Sequence, residues 1–188
     1  MGRNKDFWKA AFWLKQNYRW IIFASMVFVA SYLVFGYRLK LAIILFALIA
    51  VAALSTFYYN YFHGPVNFEL IKLATVLASV SHGIFIGVAV GIVATILSRL
   101  WSGRFDHRTL ISILGIVAVA ASAAVFGSND IRALGVALVI LYHLLTAPIS
   151  IATGDSPSFT FTYALTNIAF NAAVFYWLAP LLLALMRL

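Results

Sequence analysis

Apolar runs of about 16 to 20 residues recur along this chain, the length needed to cross a hydrocarbon core roughly 30 Å thick. They begin at Trp20 and continue almost to the last residue. A soluble core has no room for them: 64% of the 188 residues are hydrophobic and only 10% are charged, against about 25% charged in an ordinary soluble domain. The runs do not alternate with period two, which excludes a transmembrane barrel. The sequence therefore predicts an all-α, polytopic integral membrane bundle of six to seven transmembrane helices, in one transmembrane domain covering 1–188.

Charge and cysteine usage narrow the class further. The formal net charge is +8, which in a membrane chain reflects cytoplasmic flanks and anionic headgroups rather than nucleic acid. There are no cysteines, so disulfides and thiolate metal sites are excluded. The run from Trp20 is long enough to span and lacks a cleavage site, so it reads as a membrane helix and not a signal peptide.

Residues 4–19 read as a basic interfacial helix. Phe7, Trp8, Ala11 and Phe12 share one face, and Lys5, Lys9 and Lys15 turn toward the headgroups. A short basic flank of the first span is the simpler reading. Hydropathy then places spans at 20–37 and 41–59, separated by a tight turn at Arg38 and Lys40. A loop, "NYFHGPVN", precedes a short apolar helix at 67–81 and another helix at 84–100. Further spans lie at 109–126, 131–152 and 160–186, the last kinked by Pro180. "GSND" and "TGDSPS" are the turns between them.

Residues 67–100 form either one long tilted helix or two with a reversal at "SVSHGI". The positive-inside rule puts the N-terminal basic residues in the cytoplasm, and Arg99, Arg104 and Arg108 with them. An even number of crossings must then separate the two groups. That favours the reversal, seven crossings and an external C-terminus, although it leaves Arg38 and Lys40 outside.

Ionisable groups inside a bilayer are costly and usually face the bundle interior or a cavity. On a helix over 67–82, Glu69, Lys72, Thr75, Ser79 and His82 fall within an arc of roughly 140°. Glu69 and Lys72, three apart, can pair; alternatively both sit at headgroup depth with Lys72 snorkelling. His143, Thr146 and Ser150 share a face of the 131–152 span. Tyr163, Asn167 and Asn171 share a face of the last. The asparagines need partners in hydrocarbon, either across helices or as the lining of a ligand pocket. Convergence of the three stripes on one buried cavity is the sharpest functional hint. Gly83, Gly87 and Gly91 form two overlapping small-xxx-small units for helix packing, and "AASAA" at 120–124 offers a second smooth surface.

His82 and His143 could hold a haem between them, but nothing in their spacing selects it. Ser81 is followed by His82, where the rhomboid-type serine turn needs glycine. No phosphate-cradling loop, zinc helix motif or paired carboxylates appear. The expectation is a non-enzyme with no metal and no cofactor.

The run "GPVNFELIKLATVLASVSHGIFIGVAVGIVATIL", residues 64–97, resembles the core helix pair of the S components of energy-coupling factor transporters. "TNIAFNAAVFYWLAPLLLAL", residues 166–185, is similar to their last helix, and MreD-type rod-shape proteins are similar in size and pattern. The resemblance implies a bundle in the cytoplasmic membrane that captures a vitamin or related micronutrient from outside. Its partners would be lipids, a transmembrane coupling subunit and ATPases. The MreD-like alternative implies a non-catalytic scaffold. S components commonly have six spans, and the seven expected here depart from that.

Overall fold

The computed structural model describes residues 3–61, 64–127 and 130–187, and among these the regular structure is helical with no β-strand. Two compact units are present, Met1–Ile43 and Ile44–Leu188. Helix α1, Arg3–Leu54, passes through the first and into the second.

The backbone of α1 stays helical at Arg19–Trp20 and again at Arg38–Lys40. The separate interfacial helix at 4–19 and the tight turn at Arg38 and Lys40 are both corrected by this. Arg and Lys are good helix formers, and the isolated Gly36 costs only about 1 kcal/mol relative to alanine, too little to end a helix without proline. Two basic residues interrupt hydropathy but do not break the hydrogen-bond ladder. The side chains assigned to the two faces of 4–19 lie outside the described residues.

In the second unit a 3-10 turn, Phe57–Asn60, follows α1. An irregular stretch then leads to α2, Ile71–His82. The expected helix start at 67 is corrected: residues 66–70 are not helical. Pro65 disfavours helix for the residue before it and opens this stretch. Helix α2 is the centre of the unit. Ile71 through Ser79 are all buried, and α3 (Ile84–Trp101), α4 (His107–Phe126), α6 (Pro157–Trp177) and α7 (Ala179–Arg187) all pack on it.

The chain does reverse at "SVSHGI". Gly83 has φ 87° and ψ 173°, a conformation that side-chain-bearing residues rarely adopt. Its N–H closes α2 on the Ser79 carbonyl at 2.9 Å, and its carbonyl accepts from Gly87 at 3.1 Å to open α3. Gly87 then faces Ser79 and Gly91 faces Thr75 and Ile116, with no room for a Cβ at either. The two helices are therefore antiparallel and in close contact. Gly87 and Gly91 are packing residues as expected. Gly83 is not: nothing lies within 4 Å of a Cβ there, and its role is the turn.

The remaining turns follow local chemistry. Asp106 caps α4, accepting from the Arg108 N–H at 3.0 Å, while Thr109 Oγ1 accepts from the Asp106 N–H at 3.3 Å. Asp130 caps α5, Ile131–Ala152, through Arg132 and Ala133. Pro157 starts α6, where its missing N–H has no cost. Between α6 and α7 the axis bends by 53°; Pro180 lacks the N–H needed to continue the ladder.

The second unit has two distinct ends. At one, Arg104 donates to the Tyr59 carbonyl at 3.1 Å and Arg108 pairs with Asp155. These contacts gather the end of α1, the α3–α4 turn and the α5–α6 turn. At the other end lie Gly83, the α4–α5 turn and the α6–α7 bend.

Polarity is inverted relative to a soluble protein. Lys72, Thr75, Asn67, Asn167 and Asn171 are completely buried, while Phe85, Phe161, Leu165 and Leu181 are exposed. Such an exterior suits lipid, and polar groups turn inward because hydrocarbon offers them no hydrogen bonds. Arg38–Asn60, α3, α4 and α5 are long and apolar enough to cross a membrane, and the bent α6–α7 pair makes a fifth. By length and composition this is an integral membrane helical protein.

Candidate functional site

The site is built around the stretch Val66–Leu70, non-helical backbone inside a helical bundle. Backbone amides buried in such a place must find side-chain partners. Tyr58 serves both sides of Asn67: its hydroxyl donates to the Val66 carbonyl at 3.0 Å and accepts from the Phe68 N–H at 2.7 Å. The Asn67 N–H donates to Thr166 Oγ1 at 3.2 Å, and the Leu70 N–H to Ser55 Oγ at 2.9 Å. Asn167 donates to the Asn67 carbonyl at 3.4 Å and Asn171 to the Glu69 carbonyl at 3.3 Å. The two asparagines of α6 thus hold the loop across a separation of about a hundred residues in sequence. The cross-chain bonding expected of them goes to this backbone, not to another helix.

Asn167 also reaches the neighbouring helix: its Oδ1 accepts from His143 Nε2 on α5 at 2.9 Å. With the amide oriented this way, Nε2 carries the imidazole proton. His143 is buried, and its ring meets those of Tyr142 and Tyr163 edge-on, with centroids 5.1 Å and 6.3 Å away.

Glu69 and Lys72 form an ion pair in which Lys72 is completely buried and Glu69 is 6% exposed. The ammonium also lies 4.1 Å from the Tyr142 ring centroid. The reading with Lys72 snorkelling at headgroup depth is overturned by this burial. A charge so placed needs both its counter-ion and close hydrogen bonding.

Above this layer a cavity of about 420 Å³ occupies the end where α3 passes to α4 and α5 to α6. Arg99, Ser112, Tyr142, His143, Thr146 and Tyr163 line it. Arg99 donates to Ser112 Oγ at 3.2 Å. Nearer the end, Arg104 joins the lining with its guanidinium 4.7 Å from the Tyr59 ring centroid, and the Arg108–Asp155 pair forms part of the wall. Phe105 and Phe159 add aromatic surface, and Phe159 stacks on Tyr163 at 6.5 Å. A concave aromatic-lined space of this size with a few fixed polar groups is the usual form of a small-molecule site.

Two of the three expected stripes meet here. His143, Thr146 and Ser150 line the cavity together with Tyr163. Asn167 stands behind His143, and Asn171 is engaged with the loop backbone. The α2 stripe divides. Glu69 and Lys72 lie by Tyr142 without lining the cavity. Ser79 donates to the Thr75 carbonyl at 2.8 Å and packs on Gly87. His82 ends α2 at the opposite end, beside Gly83. Ser79 and His82 are therefore not part of the cavity.

The residues that sequence reasoning missed are Arg99, Arg104, Ser112, Tyr59 and Tyr142. The arginines carried a signal, but it was read as a cytoplasmic flank. Tyr142 adjoins His143 and is on a different face by helical spacing, so no stripe contained it. Among the described residues no cluster of three or more His, Asp or Glu side chains is placed to hold a metal ion. No family model matches the chain, and neither the curated proteins nor the solved structures include a significant match to it.

Proposed function

We propose that this chain is the ligand-capturing membrane subunit of a small-molecule transporter. The observation that carries this is the cavity of about 420 Å³, with its polar floor and aromatic walls at one end of the bundle. Its architecture also suits the resemblance to S components, and that reading supplies the partners: a transmembrane coupling subunit and ATPases. The smooth glycine face that motivates a scaffold of the MreD kind is occupied within the chain, since Gly87 and Gly91 pack on α2. Scaffolding therefore has less to stand on.

In this reading the second unit crosses the membrane six times. The crossings are the end of α1, Val66–Leu70 continued by α2, α3, α4, α5, and α6 with α7. The second is discontinuous. Five extended residues cover about 16 Å and the 12 residues of α2 about 18 Å, together enough for a crossing. Non-helical backbone is tolerated at that depth only when buried in protein, which the asparagine bonds support. Three crossings then separate the N-terminal basic residues from Arg99, Arg104 and Arg108, so the two groups cannot both be cytoplasmic. We assign the N-terminus to the cytoplasm of the cell membrane and the cavity to the outside. The three arginines serve the cavity and not the positive-inside rule.

Purification in mild detergent followed by mass spectrometry tests the capture. A small non-lipid molecule should accompany the wild-type protein and be absent from Ser150→Trp, which fills the cavity. Recovery of lipid and detergent alone would remove the proposal. Because the chain has no cysteine, orientation is checked with a single Phe105→Cys substitution. A membrane-impermeant maleimide should label it in intact cells. Labelling only after the membrane is opened would reverse the assignment.

A further inference from the structure

We infer that the molecule held in this cavity is an anion, its carboxylate or phosphate group seated on Arg99 beside Ser112, with Arg104 guiding it in from the cavity mouth. This rests on the reading of the cavity as a ligand site, and adds the chemical class.

The charges that line the cavity are Arg99, Arg104, Arg108, Asp106 and Asp155. Both carboxylates are already engaged. Asp155 pairs with Arg108, and Asp106 caps α4 through the Arg108 backbone N–H. Beneath the cavity Glu69 is paired with Lys72. Among the described residues the ion pairs are these two, Lys72–Glu69 and Arg108–Asp155, and neither Arg99 nor Arg104 belongs to one. Arg99 is partly buried and its guanidinium has five N–H donors, of which one bond to a hydroxyl is made. A guanidinium in a low-dielectric site without a counter-ion is unfavourable, and the planar fork matches the two oxygens of a carboxylate or phosphate. Arg104 lies flat against the Tyr59 ring and bonds its carbonyl, which leaves its charge unneutralised at the mouth.

The remaining lining agrees with a small organic anion rather than an inorganic one. Tyr59, Phe105, Phe159 and Tyr163 give the walls apolar and aromatic surface. The site thus offers a charged seat at Arg99 and a flat, greasy enclosure for a body attached to it. A cationic ligand would meet two uncompensated arginines and a neutral one would leave them unmet.

The test uses the full chain in dodecyl maltoside, with the thermal unfolding midpoint as readout. Four probes of one shape are titrated: benzoate, phenyl phosphate, benzamide and benzylamine. At least one of the two anions should raise the midpoint saturably, with an apparent affinity about tenfold or more above that for benzamide, the worth of a charge-assisted bond. Arg99→Gln should abolish that preference. Should Arg99→Gln fail to fold, Arg104→Gln and Ser112→Ala serve, each expected to weaken the anion several-fold and leave benzamide unchanged. Equal response to benzoate and benzamide, or preference for benzylamine, overturns the inference. So does a lack of response to either anion.

A lipid arm separates the two sources of such a group. Nanodiscs of phosphatidylglycerol are compared with nanodiscs of phosphatidylcholine, with and without benzoate. A saturable benzoate shift in both supports a soluble ligand. A shift with phosphatidylglycerol alone, insensitive to benzoate, assigns Arg99 to a headgroup and overturns the soluble anion. If the molecule recovered by mass spectrometry is neutral or cationic, the anion fails while capture stands. If none is recovered and no probe binds, both fail.

Discussion

Lys72→Met is expected to lower the free energy of unfolding by about 3–5 kcal/mol, the usual consequence of removing one partner of a buried ion pair. Lys72 is completely buried and its ammonium has both the Glu69 carboxylate and the Tyr142 ring face. Its loss strands Glu69 at 6% exposure. Glu69 also contributes the backbone carbonyl to which Asn171 bonds, so a strained carboxylate would disturb the loop that borders the cavity. The double variant Glu69→Gln with Lys72→Met removes both charges. It should recover most of the loss, because an isosteric neutral pair carries no desolvation penalty. Unfolding in mixed micelles, followed by circular dichroism, measures all three proteins. A loss under about 1 kcal/mol for Lys72→Met would mean that the pair behaves like an exposed one, and the buried layer described here would be wrong.

A valine at Gly87 is expected to cost at least about 1–3 kcal/mol, the range for overpacking a filled interface. A Cβ there would lie on the Ser79 side chain and 2.9 Å from the Ser79 Cα, so backbone as well as side chain stands in the way. Helix propensity works in the opposite direction, because glycine is the poorer helix former by about 1 kcal/mol. The collision is larger, since a packed backbone cannot move aside without separating α3 from α2. The exchange variant Gly87→Ala with Ser79→Gly moves the small residue to the other helix. It should be closer to wild type than Gly87→Ala alone, read from the unfolding midpoint. If Gly87→Val instead leaves stability intact but abolishes association with another membrane protein, the glycine face belongs to a partner.

Much of the fold was legible because the signals were local. Apolar runs set membrane-crossing helices, and Gly83 marked the reversal because its backbone conformation excludes side chains. Asp106, Asp130 and Pro157 marked helix starts for equally local reasons. Helical spacing correctly grouped His143, Thr146 and Ser150 on one face, and it paired Asn167 with Asn171. Where the expectation failed at Arg38 and Lys40, a hydropathy dip was taken for a backbone break. Hydropathy reports the cost of burying a side chain, whereas a helix ends only when its hydrogen bonds or dihedrals are interrupted.

The partners of those residues were decided by the tertiary structure. Nothing near Asn167 or Asn171 in sequence says that their amides serve the carbonyls of Asn67 and Glu69. Equally, Arg99 and Arg104 look like any basic flank until α4, α5 and the end of α1 close around them. By itself the sequence determined that this chain is a membrane helical bundle, which segments are helices and which side chains must turn away from lipid. Those outcomes depend on local dihedrals and on transfer from water to hydrocarbon. The tertiary structure alone decided that Ser79 packs while His143 lines a cavity, and that two arginines meet there without carboxylate partners. Such pairings join residues far apart in sequence, and only the packed chain brings them within bonding distance.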